Sequence, residues 1–212
     1  MRVAFFGGTF DPPHRGHLAI ARAAAEGFAL DVVLFAPAAQ QPFKPEGASA
    51  SFADRLTMVR LLCDAASKLT HSRFEGSDVD SPRADGQPNY TIDALRRLKQ
   101  ERNDSALFVI VGADAFLELR RWRDPDALLA VAEWIVVSRP GFSLDELAPL
   151  ALSSDQGARV HLLEGVHEPA SATEVRERLE HGLDCSRLVT EEVLAYIQHK
   201  HLYGPPGASQ HK

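Results

Sequence analysis

Short apolar runs alternate along this chain with segments in which apolar residues recur every three or four positions. Continuous apolar runs span residues 3–6, 32–36, 107–111 and 134–137, a weaker run spans 73–77, and a short one spans 160–163. Apolar runs without polar alternation are typical of strands that are buried on both faces of a parallel sheet. The pattern therefore predicts six strands.

The segments between these strands carry helical signals. We predict helices over residues 16–26, 51–67, 91–101, 171–181 and 190–200. Ser51 and Asp54 have capping-box spacing, with Asp in place of the usual Glu, and Ile92, Leu95 and Leu98 fall on one helical stripe. Alternation of strands and helices predicts an α/β fold, a Rossmann-like doubly wound parallel sheet with closing C-terminal helices.

Length and composition fit a single domain over residues 1–204, followed by a flexible tail over 205–212. The chain has 212 residues, 45% of them hydrophobic, and a net charge of −6. The negative charge argues against a nucleic-acid partner, and no apolar stretch reaches the roughly 20 residues of a membrane span. The two cysteines set no disulfide framework and favour a cytoplasmic location. The sequence leaves a monomer and a homodimer both open.

The residues that carry chemistry lie in loops that directly follow predicted strands. These loops span residues 7–17, 37–44, 112–114 and 138–141. The carboxyl ends of parallel strands meet at one edge of a sheet, and ligands bind there at a topological switch point. We therefore expect the four loops to form one site.

The first of these loops has the features of a phosphate-binding turn. Gly7 and Gly8 allow a sharp turn and a close approach to the backbone. His14 and His17 lie three residues apart at the start of the next helix, where free N–H groups and the helix dipole favour an anion. Each feature alone has a simpler interpretation: an ordinary turn, half of a metal site, or a capping or core histidine.

Two further segments, around Lys44 and around Asn89, carry candidate polar contacts. Lys44 lies between Pro42 and Pro45, which suits a charge held over a phosphate, although an ordinary surface lysine is the alternative. Asn89 or Thr91 is expected to cap the helix that follows, which is the interpretation that the sequence alone favours.

The remaining segments each allow two interpretations as well. Gly112 lets a flat ring approach the backbone, and Trp122 lies in a charged context in which it either stacks on a ligand or packs half-buried. Ser171, Thr173 and Arg176 fall on the first turn of a predicted helix, as a second anion site or as a plain capped helix.

The segment from Gly7 to His17 closely resembles the GGTFDPxHxGH signature of bacterial nicotinate-mononucleotide adenylyltransferases. Its ending is shared more widely with the (H/T)xGH nucleotidyltransferases of the HIGH superfamily. The resemblance extends over roughly residues 2–204. It implies a nucleotidyltransferase fold and the transfer of an adenylyl group from ATP to nicotinate mononucleotide, which gives nicotinate adenine dinucleotide and pyrophosphate.

The resemblance also implies roles for individual residues. The catalytic residues are His14, His17, Lys44 and Arg176. ATP is bound by Gly7, Gly8, Thr9, Phe10, His14, His17, Gly112, Asp114, Arg139, Ser171, Thr173 and Arg176. Nicotinate mononucleotide is bound by Gly8, Thr9, Lys44, Tyr90, Thr91 and Trp122. Two positions depart from the family pattern, since Phe43 replaces a His and Asn89 replaces a Ser.

The implied reaction brings two polyanions together, so we expect cations at the site. His14, His17, Lys44 and Arg176 would supply positive charge together with a Mg²⁺ ion carried by the ATP phosphates. The sequence offers no carboxylate cluster for a metal held by protein alone, so no metal-ligating residues are predicted.

Two other functions are alternatives to this one. One is a different small-molecule nucleotidyltransferase, acting on phosphopantetheine or nicotinamide mononucleotide, and Tyr90, Thr91 and Trp122 argue against it. The other is a non-catalytic nucleotide-binding regulator. The intact set of charged and imidazole side chains argues against the regulator, because a sensor does not need groups aimed at a transition state.

Overall fold

The computed structural model describes residues 1–39, 47–67, 71–138, 142–166 and 168–204. The segment with Phe43 and Lys44, the Arg139 position and the tail over 205–212 lie outside the described residues. The predictions made for them therefore stay predictions.

A single six-stranded sheet forms the centre of the molecule. Its strands are β1 (Arg2–Gly8), β2 (Val32–Pro37), β3 (Arg73–Gly76), β4 (Ala106–Gly112), β5 (Glu133–Val137) and β6 (Val160–Leu163). All pairings are parallel, in the order β3-β2-β1-β4-β5-β6. This is the doubly wound order, and its switch point lies between β1 and β4. The predicted fold class is confirmed.

Helices cover both faces of the sheet. They are α1 (Arg15–Gly27), α2 (Phe52–Ser67), α3 (Thr91–Glu101), α4 (Ala113–Leu117), α5 (Pro125–Val131), α6 (Ser154–Gly157), α7 (Ala172–Glu180) and α8 (Glu191–His199). Two 3₁₀ segments, Leu119–Arg121 and Leu144–Leu150, complete the described elements. The five predicted helices are found within a residue at each end, whereas α4, α5 and α6 were not predicted because four to seven residues carry too little periodicity.

Alternate side chains of each strand supply two separate cores. Ala4, Phe6, Val33 and Phe35 face the cluster that also includes residues of α1, α2 and α8. Val3, Phe5 and Val109 face the cluster that includes residues of α3, α4 and α5. Both faces of the strands are therefore buried, which explains their continuous apolar sequences.

The start of α2 follows the predicted cap with one difference. The Ser51 hydroxyl accepts a hydrogen bond from the Asp54 N–H at 3.1 Å. The Asp54 carboxylate binds the Ser51 hydroxyl itself, where a full capping box would use the Ser51 backbone N–H. Within the described part of the chain, no helix is long and apolar enough to cross a membrane.

Candidate active site

The loops that carry the candidate residues begin at one edge of the sheet. Gly8 of β1 pairs with Pro37 of β2, and Gly112 of β4 pairs with Val137 of β5, each at the carboxyl end of its strand. The Ala38 N–H donates to the Gly8 carbonyl at 2.8 Å, so the first two loops stay joined beyond the strands. The expected gathering of loop starts at the switch point is confirmed.

The turn after β1 is packed too tightly for larger residues. A Cβ atom on Gly8 would lie 3.2 Å from the Phe10 ring. A Cβ atom on Gly16 would lie 2.9 Å from both the Ala170 carbonyl oxygen and the His14 Nδ1 atom. The Ala170 carbonyl belongs to the backbone and cannot turn aside as a side chain can. Glycine at position 16 therefore lets the start of α1 approach the segment before α7.

Phe10 supports this turn from inside the protein. It has a positive φ of 50° and is 1% exposed. Its ring packs against Phe6 and Phe35 and lies 4.7 Å, centroid to centroid, from the His17 ring. Because the side chain is buried, only the Phe10 backbone is available to the nucleotide that the resemblance assigns to it.

The two histidines form one unit at the N-terminus of α1. His14 is the N-cap residue, and its N–H donates to Nδ1 of His17 at 3.2 Å. The two ring centroids lie 3.7 Å apart. Since Nδ1 of His17 accepts a hydrogen bond, the neutral ring carries its proton on Nε2. His17 is thus held as a hydrogen-bond donor by His14.

Both imidazoles are neutral at neutral pH in the free protein. His14 is 8% exposed, and burial lowers its pKa to about 4. Burial and the neighbouring His14 together hold the pKa of His17 well below its usual range. Both imidazoles therefore act as neutral donors in the free protein, and the expectation that they supply positive charge beside bound phosphates stays a prediction.

The histidine pair is not joined by a third metal-ligating side chain among the described residues. Across residues 1–39, 47–67, 71–138, 142–166 and 168–204, no group of three or more His, Cys, Asp or Glu side chains is arranged to hold a metal ion.

Arg176 brings the start of α7 to the same turn. Its Nη1 donates to the Asp11 carbonyl at 2.7 Å, and its Nη2 lies 3.5 Å from Oγ1 of Thr173. Ser171 caps α7 by accepting from the Glu174 N–H at 3.2 Å, so the capped-helix interpretation of this residue is confirmed. Thr173 and Ser171 are exposed beside the half-buried guanidinium, which leaves their polar atoms accessible to an anion.

The start of α3 lies uncapped on the other side of the edge. Tyr90 is the N-cap residue, and no described side chain caps this helix. The Asn89 side chain instead donates to the Ser81 carbonyl at 2.6 Å. The prediction that Asn89 or Thr91 caps the helix is therefore wrong, and the first-turn N–H groups of α3 are not covered by a cap.

Arg123, the residue after Trp122, contacts Tyr90. The Arg123 guanidinium stacks on the Tyr90 ring at 4.5 Å, and both residues line an open cavity of about 210 Å³. Trp122 is half-buried and packs edge-on against the buried Trp134, with ring centroids 6.1 Å apart. The half-buried packing interpretation of Trp122 is confirmed, and the residue stays partly accessible.

The end of β4 leaves space for a flat group. Gly112 is exposed, and a Cβ atom built on it meets no described atom within 4 Å. Asp114 follows on the exposed first turn of α4. Both positions lie on the same sheet edge as the histidine pair, one strand away.

Three functionally placed residues were missed by sequence reasoning. Arg55 is a buried arginine on α2, Asp80 lies in the loop before α3, and Tyr203 follows α8. Arg55 occupies the same helical stripe as Val59 and Leu62, so a charged residue on an apolar stripe was the available signal. Asp80 and Tyr203 carry no comparable signal.

A family model matches most of the chain, and several curated relatives match nearly all of it. The model of the cytidylyltransferase-like family matches residues 5–178. A probable nicotinate-nucleotide adenylyltransferase from Opitutus terrae is 37% identical over 205 residues, which cover 97% of this chain and 99% of the relative. Another from Gloeobacter violaceus is 38% identical over 210 residues, 98% of each chain.

Solved structures show the same fold. Plasmodium falciparum nicotinic acid mononucleotide adenylyltransferase complexed with NaAD is similar with a TM-score of 0.75, at 18% identity over 95% of this chain and 97% of that one. The same Plasmodium enzyme complexed with APC has a TM-score of 0.73 at 17% identity, covering 95% and 96%.

Proposed function

The chain belongs to the nicotinate-nucleotide adenylyltransferase family, and we propose that it transfers the adenylyl group of ATP to nicotinate mononucleotide. The products are nicotinate adenine dinucleotide and pyrophosphate, in a step of NAD biosynthesis. The observation that carries this proposal is the His14–His17 pair, held at the N-terminus of α1 directly behind the glycine turn and at the switch point of the sheet.

The reaction is a direct displacement at the α-phosphorus of ATP. An oxygen of the mononucleotide 5′-phosphate forms the new bond to this phosphorus, and the bond to the bridging oxygen of pyrophosphate breaks on the opposite side. No covalent enzyme intermediate is needed. Catalysis then consists of positioning the two phosphates in line and stabilising the charge that shifts during transfer.

The histidines act on the ATP phosphates as aimed hydrogen-bond donors. His17 presents Nε2–H because its Nδ1 is bound by the His14 backbone. A donor fixed before the substrate arrives stabilises developing charge without reorganisation. A bound triphosphate also raises the pKa of both imidazoles, so either ring can gain a proton that it lacks in the free protein.

The β- and γ-phosphates fit the start of α7. Arg176, Ser171 and Thr173 offer a guanidinium and two hydroxyls on one helical turn. We propose that Arg139 joins them and that Mg²⁺ arrives as the Mg–ATP complex, where it neutralises part of the triphosphate charge. Gly112 and Asp114 take the adenosine side of the nucleotide.

The mononucleotide fits the edge formed by α3 and Trp122. The uncapped N-terminus of α3 at Tyr90 and Thr91 suits the ring carboxylate. The exposed part of Trp122 suits stacking on the pyridine ring, and Lys44 is assigned to the phosphate. We propose that the enzyme works in the cytoplasm, as a monomer or a homodimer, in keeping with its two buried cysteine thiols.

The test is to mix the purified protein with ATP, Mg²⁺ and nicotinate mononucleotide and to follow pyrophosphate and the dinucleotide by chromatography. Parallel reactions contain nicotinamide mononucleotide, phosphopantetheine, or no acceptor, and one contains EDTA. Pyrophosphate and dinucleotide should form together with the nicotinate substrate and stop with EDTA. Release of pyrophosphate with phosphopantetheine alone would favour the other nucleotidyltransferase. Binding of ATP without any release of pyrophosphate would favour the regulator.

A further inference from the structure

The Arg55 guanidinium is buried beneath the site loops. Arg55 is 2% exposed and lies in the first turn of α2, beside the apolar residues of the core. Removing a cation from water is unfavourable unless hydrogen bonds compensate. Desolvation lowers the pKa of this group, and the charges of Asp11, Tyr203 and Asp80 act in the opposite direction.

The hydrogen bonds of Arg55 join three separate segments. Its Nη1 donates to the Thr9 carbonyl at 2.7 Å and to the Ala38 carbonyl at 2.9 Å, and its Nε donates to the Ala50 carbonyl at 3.2 Å. Thr9 belongs to the turn assigned to both substrates, and Ala38 begins the segment that leads in sequence to Lys44. One nitrogen therefore bridges the two loops, in addition to the bond between the Ala38 N–H and the Gly8 carbonyl.

Asp80 holds the other side of the same peptide unit. The Ala39 backbone N–H and the Asn89 side chain both stabilise the charged form of Asp80 and oppose the rise in its pKa that burial causes. The Ala38 carbonyl and the Ala39 N–H belong to one peptide group, so the Arg55 guanidinium binds its carbonyl while the Asp80 carboxylate interacts with its N–H side. Asn89 directly precedes Tyr90, which connects these contacts to the uncapped end of α3.

We infer that Arg55 is a positioning residue for adenylyl transfer, which together with Asp80 fixes the distance between the ATP turn and the acceptor segments. This inference rests on the proposed function. In-line transfer needs the attacking oxygen close to the α-phosphorus, and misplacement by about 1 Å can cost roughly 100-fold in rate. Neither residue contacts a reacting atom in this account, because both act through backbone carbonyl and N–H groups.

The first test is Arg55→Lys. Lysine keeps the charge, but its compact ammonium cannot reproduce a planar fork that reaches Thr9, Ala38 and Ala50 together. Arg60→Lys is the matched control, since Arg60 is exposed on the same helix. We expect kcat, with both substrates saturating and well below the Tm, to fall at least about 10-fold for Arg55→Lys. Arg60→Lys should stay within about 2-fold of wild type.

A purely structural role would give a different result. Arg55→Lys would then lower the Tm while the folded enzyme kept a normal kcat, and this outcome would overturn the inference. If Arg55→Lys does not fold, the pair Asp80→Ala and Asp80→Asn decides. Asp80→Ala removes the acceptor for the Ala39 N–H and should lower kcat, whereas Asp80→Asn keeps an acceptor oxygen and should restore most of it. A normal kcat for Asp80→Ala contradicts the inference.

The activity of the wild-type protein distinguishes failure of the proposed function from failure of the positioning role. If wild type releases no pyrophosphate with nicotinate mononucleotide, the proposed function fails whatever the variants do. If wild type is active and the Arg55 and Asp80 variants keep its kcat, only the positioning role fails.

Discussion

The Tyr203 hydroxyl donates to Oδ1 of Asp11 at 2.6 Å, although 192 positions separate the two residues. The Asp11 carboxylate also accepts from the backbone N–H groups of Ser49 and Ala50, at 2.6 and 3.0 Å. Arg176 binds the Asp11 carbonyl. The turn that carries the histidine pair is therefore held by hydrogen bonds from the segment just before α2, from α7 and from the segment after α8.

Tyr203→Phe should destabilise the protein measurably. Asp11 is 4% exposed, and losing one donor to a buried carboxylate costs about 1–3 kcal/mol. Tyr196→Phe is the control, because the Tyr196 hydroxyl also binds a carboxylate, that of Asp54, at 2.9 Å but in a partly exposed position. Urea unfolding of both variants gives the comparison. Equal, small losses for the two would show that the Asp11 contact adds little.

His17→Ala should mainly damage the chemical step. Loss of one preorganised donor at the α-phosphate typically lowers kcat about 100- to 1000-fold. The substitution also removes the acceptor for the His14 N–H, so we expect a stability loss of about 1 kcal/mol.

His17→Asn retains a donor and should recover part of the activity. Measuring kcat, both KM values and the Tm of the two variants tests this. A near-normal kcat for His17→Ala, or a collapsed Tm that explains the lost activity, would make His17 a structural residue.

The nicotinate substrate should be preferred over its amide. The two mononucleotides differ by a carboxylate against a carboxamide, and the uncapped N–H groups of α3 favour the anion. We expect at least about a 10-fold difference in kcat/KM, or about 1.4 kcal/mol. Kinetics with each mononucleotide at fixed ATP measure the ratio, and equal or reversed values would refute the assignment of this helix end.

Lys44→Ala and Trp122→Ala should raise the KM for the mononucleotide more than the KM for ATP. Lys44 is assigned to the acceptor phosphate, and loss of stacking on Trp122 costs about 0.5–1.5 kcal/mol beyond buried area. Because Trp122 also packs on Trp134, Trp122→Phe is the better-folded companion variant. An effect confined to the KM for ATP would invert the two half-sites.

Stability of the free protein should fall as the pH drops from about 6.5 to about 4, in part through His14. Its pKa is about 4 when folded and 6.5 when unfolded, so in this window the unfolded chain binds a proton that the native state does not. Above pH 6.5 the His14 side chain is neutral in both states and causes no loss of stability. At pH 5 the His14 contribution amounts to a loss of about 2 kcal/mol.

His14→Asn removes this contribution together with the share of the His17 pKa shift that His14 causes, and both changes reduce the pH-dependent loss, while Asn still serves as an N-cap. Asp80 has its pKa raised to about 6, mainly by burial, and acts with the opposite sign, but it is common to both proteins and cancels in the difference. Urea unfolding at pH 7.5 and pH 5 should show a smaller pH-dependent loss in the variant. An identical loss in both proteins would mean that His14 is not buried as a neutral group.

The sequence by itself determined the sheet and the position of the site. Runs such as residues 107–111 are apolar at every position, which only a strand covered on both faces satisfies. Because parallel strands end at one edge, the glycine turn, Gly112 and the loop starts had to gather there. Such signals are local or periodic, so they can be read along the chain.

The tertiary structure alone decided the chemical state of the site and what holds it. The neutral state of His14 and His17 depends on burial by distant segments. Arg55 binds carbonyls 17 and 46 positions away, and Tyr203 reaches Asp11 from the other end of the chain. Contacts of this kind repeat with no period and use common polar residues, so no local pattern distinguishes them before the chain has folded.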